Sequence, residues 1–211
     1  MNANPWVTSA LTAFELIGVL AFAASGLIEA ARKKFDIFGV VLVSFIAAFG
    51  GGTLRDILLD RRPFFWVENQ VTVWVVIAFA VLAPLFVRSR HIEFTSRAME
   101  WPDAVGLGLF ATSGAQIALE SGSNAFVASI MAVVTAVFGG ILRDVLVGEI
   151  PRALHDHQPY ALLAFGGAWM LWGLQQLGLD AVLAIVITAT AMIAFRFASI
   201  AFKWKLPAWK L

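Results

Sequence analysis

The sequence predicts an all-α membrane protein with seven transmembrane helices, arranged as two inverted three-helix repeats plus a seventh helix. Three observations lead there. Hydrophobic residues make up 60% of the 211-residue chain and charged residues 14%, whereas a soluble domain averages about 45–50% and about 25%. Seven apolar stretches approach the roughly 20 residues a helix needs to cross a bilayer core. A single ungapped shift of 88 residues lays the first half of the chain on the second.

The same bulk properties exclude other classes. A net charge of +1, with basic residues scattered over short loops, does not make the basic face a nucleic-acid binder needs. The chain has no cysteine, so disulfides, thiolate metal sites and cysteine nucleophiles are ruled out. No Ser/His/Asp set, phosphate loop or helix-borne HExxH appears, so an enzyme is not expected. His155-Asp156-His157 and His91 read as ordinary loop residues. Met1 to Thr8 carries no Lys or Arg; a signal peptide needs a positive start, so the first apolar segment is expected to stay as a helix. No gap between segments is long enough for a soluble domain, and 1–211 reads as one transmembrane unit.

The segments follow in order. The first, Val7–Ala31, carries Glu15 about two turns in and stops at Arg32-Lys33-Lys34. The second, Asp36–Leu59, contains Gly50-Gly51-Gly52 and stops before Arg61-Arg62. The third, Val71–Val87, ends at Arg88 and Arg90. The fourth, Trp101–Leu119, opens with Asp103, which reads as interfacial. The fifth, Ser123–Val147, contains Gly139-Gly140, and the sixth is Pro159–Leu177. The seventh, Ala181–Phe202, runs into Lys203, Lys205 and Lys210. Repeat 1 then covers about 7–88, repeat 2 about 95–177, and the added helix about 181–202.

Orientation follows from loop charge. With seven crossings, ten Lys and Arg (Arg32 to Lys34, Arg88, Arg90, Arg97, Arg152, and the tail lysines) fall on one side and two, Arg61 and Arg62, on the other. This places the N-terminus outside and the C-terminus in the cytoplasm of a prokaryotic cell (inner) membrane. Trp6 and Trp66 then mark the outer interface, and Trp101, Trp204 and Trp209 the inner one.

The 88-residue shift pairs Phe22-Ala23-Ala24-Ser25-Gly26 with Phe110-Ala111-Thr112-Ser113-Gly114, and Gly51-Gly52-Thr53-Leu54-Arg55-Asp56 with Gly139-Gly140-Ile141-Leu142-Arg143-Asp144. It also pairs Glu15 with Asp103, Gly18 with Gly106, and Pro63 with Pro151. Three helices per unit is an odd number, so the second unit enters from the opposite side, as the loop charges independently require. Inverted repeats with broken helices at their interface recur in transport proteins.

Three features carry chemistry. The glycines interrupt segments two and five at equivalent places, where each glycine costs about 1 kcal/mol relative to alanine in a helix. They serve either close helix packing or a kink or unwound turn. An unwound turn frees carbonyls from about Ala47 to Gly50 and Thr135 to Phe138 as cation ligands. Arg55-Asp56 and Arg143-Asp144 lie one turn further on, and a charge there costs at least about 2.5–3.5 kcal/mol unless paired or hydrated. Neighbours in sequence do not face each other on a helix, so the expectation is pairing across the repeats: Arg55 with Asp144, and Arg143 with Asp56. Snorkelling to the interface is the alternative. Glu15 is a candidate for facing a hydrated path, while Ser25-Gly26 and Ser113-Gly114 either line that path or allow close crossing.

Gly50-Gly51-Gly52-Thr53-Leu54-Arg55-Asp56 and Phe138-Gly139-Gly140-Ile141-Leu142-Arg143-Asp144, the latter followed by Glu149-Ile150-Pro151, resemble the prokaryotic trimeric intracellular cation (TRIC) channels over nearly the whole chain. The resemblance implies a homotrimer with a pore in each protomer that passes potassium and sodium, with no cofactor. It implies that segments two and five line the pore, kinked at Gly50 to Gly52 and at Gly139 and Gly140, with Arg55 and Arg143 near it. Animal members hold a phosphoinositide with a Lys-Glu-Val motif; this chain has Thr53-Leu54-Arg55 there, so that lipid is not expected as a partner. The same bacterial family is also labelled glycine transporter, and a secondary carrier for a small amino acid is the alternative, with Arg55 or Arg143 on the substrate carboxylate. A non-conducting scaffold is a third class, disfavoured by intramembrane charges repeated in both halves.

Overall fold

The computed structural model describes residues 5–86, 96–155 and 158–207, and every regular element among them is helical. The order is α1 (Pro5–Arg32), α2 (Ile37–Leu58), α3 (Phe65–Glu68), α4 (Gln70–Phe86), α5 (Ser96–Glu120), α6 (Ala125–Leu146), α7 (Arg152–His155), α8 (Ala161–Gln176) and α9 (Ala181–Ala201). Helices α3 and α7 are single turns. By length and hydropathy α1, α2, α6 and α9 can cross a membrane, and α4 is a shorter apolar helix. Arg88, Arg90, His91, Asp156, His157, Trp209 and Lys210 lie outside the described residues.

Helix ends follow local chemistry. Asp36 and Asn124, 88 residues apart, are the N-caps of α2 and α6; their side-chain oxygens accept from the Gly39 and Val127 amides at 2.7 and 2.9 Å. Such a cap satisfies an amide that has no partner inside the helix. After α2 and α6 the chain turns through left-handed residues at equivalent places, Asp60 (φ 49°) and Gly148 (φ 75°). Only α5 departs clearly from expectation. It starts at Ser96 rather than Trp101 and carries Pro102 inside.

Helices α1, α2, α5 and α6 pack together at the centre, α4 rests on α1 and α2, and α8 and α9 rest on α5 and α6. The contacts at the centre are reciprocal. A Cβ on Gly51 would run into the Thr135 carbonyl, and a Cβ on Gly139 into the Ala47 carbonyl. A Cβ on Gly18 would meet Phe110, and one on Gly106 would meet Phe22. In each set one residue number rises as the other falls, so α2 runs antiparallel to α6, and α1 to α5. The Phe22 and Phe110 rings meet each other here, with centroids 5.2 Å apart, and both are buried.

This geometry corrects one expectation. Both α2 and α6 are helical through their glycines. The unwound turns are absent, and no stretch of carbonyls at Ala47 to Gly50 or Thr135 to Phe138 is released. The glycines let two backbones touch, as small residues do between membrane helices: the Ala47 and Thr135 carbonyls face the partner helix's glycine.

Candidate functional site

Each half builds one buried charged cluster. In the first, Arg55 is 1% exposed. Its Nη1 lies 2.6 Å from Glu15 Oε1, its Nε donates to Asp56 Oδ1 at 2.9 Å, and its Nη2 lies 2.8 Å from the same oxygen. Asp56 Oδ2 accepts from the Phe65 amide at 3.2 Å. In the second, Arg143 Nη1 lies 2.7 Å from Asp103 Oδ1, Nε donates to Asp144 Oδ1 at 2.9 Å, and Asp144 Oδ2 accepts from the Arg152 amide at 3.0 Å. Arg143 Nη1 also donates to Ser25 Oγ, a hydroxyl from the other half.

These contacts overturn the pairing of Arg55 with Asp144 and of Arg143 with Asp56. Each arginine lies four residues beyond its crossing glycine, and the helices are antiparallel, so the two diverge to opposite ends. At 1.5 Å per residue they are roughly 18 Å apart along the axes. Each instead meets an acid on α1 or α5 and curls back onto its own neighbour. The arginine stem is long enough for this, although short side chains at i and i+1 do not face each other. Asp103 is 5% exposed and serves as a buried partner of Arg143.

A cavity leads into each cluster. One is lined by Glu15, Gly52, Thr53, Arg55, Trp66 and Phe110. The other is lined by Asp103, Gly140, Arg143, Asp144, Tyr160 and Arg196 among others. Each has room for about one water. The cavities therefore gather Glu15, Gly52, Thr53 and Arg55 on one side and Gly140, Arg143 and Asp144 on the other, with Asp56 and Ser25 bonded to the arginines. Gly50, Gly51, Gly139, Ser113 and Phe138 line neither: Phe138 is exposed, and Ser113 Oγ donates to the Phe110 carbonyl at 3.3 Å. Trp66 packs edge-on against Phe45 and lines the first cavity.

Sequence reasoning missed Tyr160, Gln158 and Arg196. Tyr160 Oη donates to Asp103 Oδ2 at 2.7 Å, and no tyrosine stands 88 residues earlier. Arg196 is a charge inside an apolar segment, the signal that singled out Arg55. The repeat does not reach that segment, so the comparison between halves passed over it.

A further charged group ties the end of α1 to the loop after α6. Buried Glu29 pairs with Arg32 at 2.5 Å, and Glu149 pairs with Arg32 at 3.1 Å and with Lys33. Lys33 and Arg32 hold the Glu149 carboxyl below its ordinary value of 4.5. A lowered folded-state value means the stabilisation is present above the unfolded value and lost as pH falls through the folded one. Glu149→Gln is expected to remove this acid-side step from melting temperature measured against pH. Added salt shrinks the wild-type step, because Glu149 is 41% exposed.

Comparison with known proteins gives a consistent result. The family model described as glycine transporter matches residues 12–88 and 100–176, two stretches offset by 88 residues. A UPF0126 membrane protein of Vibrio cholerae is 33% identical over 204 residues, covering 97% of this chain and 84% of the relative. The UPF0126 inner membrane protein YadS of Escherichia coli K12 is 31% identical over 201 residues, covering 93% and 95%. A crystal structure of the TRIC trimeric intracellular cation channel orthologue from Rhodobacter sphaeroides is 38% identical, with a TM-score of 0.84, over 92% of this chain and 98% of that one. The protein is thus an all-helical membrane protein with a TRIC-like fold.

Proposed function

Because the chain belongs to the prokaryotic TRIC channel family, the family whose sequence model is described as glycine transporter, we propose that it is a monovalent cation channel with one pathway inside each protomer of a homotrimer. The pathway runs through both cavities, and potassium and sodium are its ions. Residues 7–88 and 95–177 form inverted repeats, seven helices cross the bilayer, and the N-terminus lies outside. Contacts at one end of the molecule support this orientation. Arg32, Lys33 and Arg152 share ion pairs with Glu29 and Glu149, and Lys203 and Lys205 line a groove that shares Glu100 and Gln158 with the Asp103 cavity.

One observation carries the reading: each buried arginine is held by two carboxylates. An unpaired arginine in a narrow path would repel cations. Two carboxylates on each guanidinium offset its charge, so neither arginine meets a passing cation uncompensated. The same observation weighs against the carrier reading, since a substrate carboxylate would have to displace an acid already bound to Arg55 or Arg143. Between the cavities the Phe22–Phe110 pair and the α2–α6 crossing close the path in this state.

Planar-bilayer recording on purified protein, first in a potassium gradient and then in a glycine gradient, tests the proposal. Unitary current steps reversing near the potassium equilibrium potential are expected. Slow, saturable, glycine-dependent current without unitary steps would falsify it. Phe110→Ala, which opens the apolar block without touching a charge, is expected to raise macroscopic potassium current several-fold. Unchanged current places the block elsewhere.

A further inference from the structure

We propose that Arg196 anchors a small-anion site in the cavity beside Asp103, one that accepts a halide. Binding at this site does not depend on the channel reading.

Arg196 lies in α9, inside a segment with no counterpart in the repeat, and is 5% exposed. Its Nη1 donates to Gln158 Oε1 at 2.8 Å and to Ser199 Oγ at 3.3 Å, and its guanidinium carbon lies 4.8 Å from the Tyr160 ring centroid. All these partners are neutral. Nε is buried with no acceptor, and no carboxylate among the described residues comes within ion-pair distance. Arginine presents five N–H donors; here the Nε–Nη2 edge has no protein acceptor. Arg55 and Arg143, equally buried, each have two acids.

A buried charge left uncompensated is costly, and three ways of relieving that cost do not operate here. Snorkelling would leave the guanidinium exposed, and it is not. Tyr160 offers only its ring face, since its hydroxyl is committed to Asp103. The acids of the cavity are engaged elsewhere: Asp103 and Asp144 hold Arg143, and Glu100 lies 3.6 Å from Arg152. The Arg196 charge is offset only at a distance, and its Nε has no acceptor. A small anion from solution supplies one. The approach is basic, because the groove carrying Lys203 and Lys205 shares Glu100 and Gln158 with the cavity, and like-signed walls concentrate their counter-ion. The cavity admits about one water, which limits the ligand to a monatomic anion of about chloride size.

The test is thermal unfolding of the purified full-length protein, read by tryptophan fluorescence, with potassium gluconate exchanged for potassium chloride or potassium acetate at constant ionic strength. Gluconate is too bulky for the cavity. The wild type is expected to melt about 5–10 °C higher with chloride at a hundredfold excess over Kd, and no higher with acetate. A rise with acetate as large as that with chloride overturns the proposed fit. Gln158→Glu places a carboxylate against Arg196 without changing side-chain shape. It is expected to raise the melting temperature in gluconate and to abolish the anion-dependent rise. Arg196→Gln should also show no rise. No rise in the wild type, or an undiminished rise in either variant, overturns the proposal.

Discussion

Gly51→Ala is expected to lower the melting temperature of the purified protein by about 6–12 °C, while Gly52→Ala leaves it unchanged or raises it. At Gly51 a Cβ would be driven into the Thr135 carbonyl, a backbone atom that no rotamer change can move. Overpacking typically costs about 1–3 kcal/mol, and a helix-to-helix backbone clash belongs at or above the top of that range. For a domain of this size each kcal/mol shifts melting by about 2–4 °C. At Gly52 the added methyl finds only Arg55 Nη2, at 3.9 Å, an ordinary contact, and helix propensity favours alanine by up to about 1 kcal/mol. Gly50→Ala falls between them, since it meets the movable Leu142 Cδ1 at 2.9 Å. If the glycines worked as hinges, the three substitutions would act through conduction and differ little in stability. Thermal melts of the three variants side by side separate the two roles.

The second large effect concerns the acids. Glu15→Ala and Asp103→Ala each leave a buried arginine with one carboxylate instead of two, and removing one partner of a buried pair costs about 3–5 kcal/mol. A double-mutant cycle is sharper than either loss. Glu15→Ala with Arg55→Ala is expected to show coupling above about 1.5 kcal/mol, in the range of close charge pairs. Asp144→Ala with Arg55→Ala is expected to be additive within about 0.5 kcal/mol, as for distant sites. Coupling of Arg55 to Asp144 as large as that to Glu15 would mean the two halves meet through their charges, contrary to the distances found.

Much was legible without coordinates because it is a local property of the chain. Membrane helices are written as apolar length, and the capping residues Asp36 and Asn124 stand where those lengths begin. The 88-residue shift matched positions that the structure brings into reciprocal contact: Gly18 with Phe110, Gly106 with Phe22. It also aligned Glu15 with Asp103, the acids that the two arginines use. That equivalence is the clue to the pairing that the sequence carries.

The sequence by itself determined that charges buried in apolar helices need partners, that they come in two equivalent sets, and that glycines fall at equivalent points of α2 and α6. Tertiary structure alone decided which acid each arginine meets, that the glycines serve contact rather than unwinding, and that Arg196 stands beside Tyr160 and Gln158. The reason is geometric. Hydropathy and spacing fix position along a helix, whereas pairing depends on the depth at which antiparallel helices cross and on how far a flexible side chain reaches. Neither quantity is encoded in any one segment; both arise only when the segments pack.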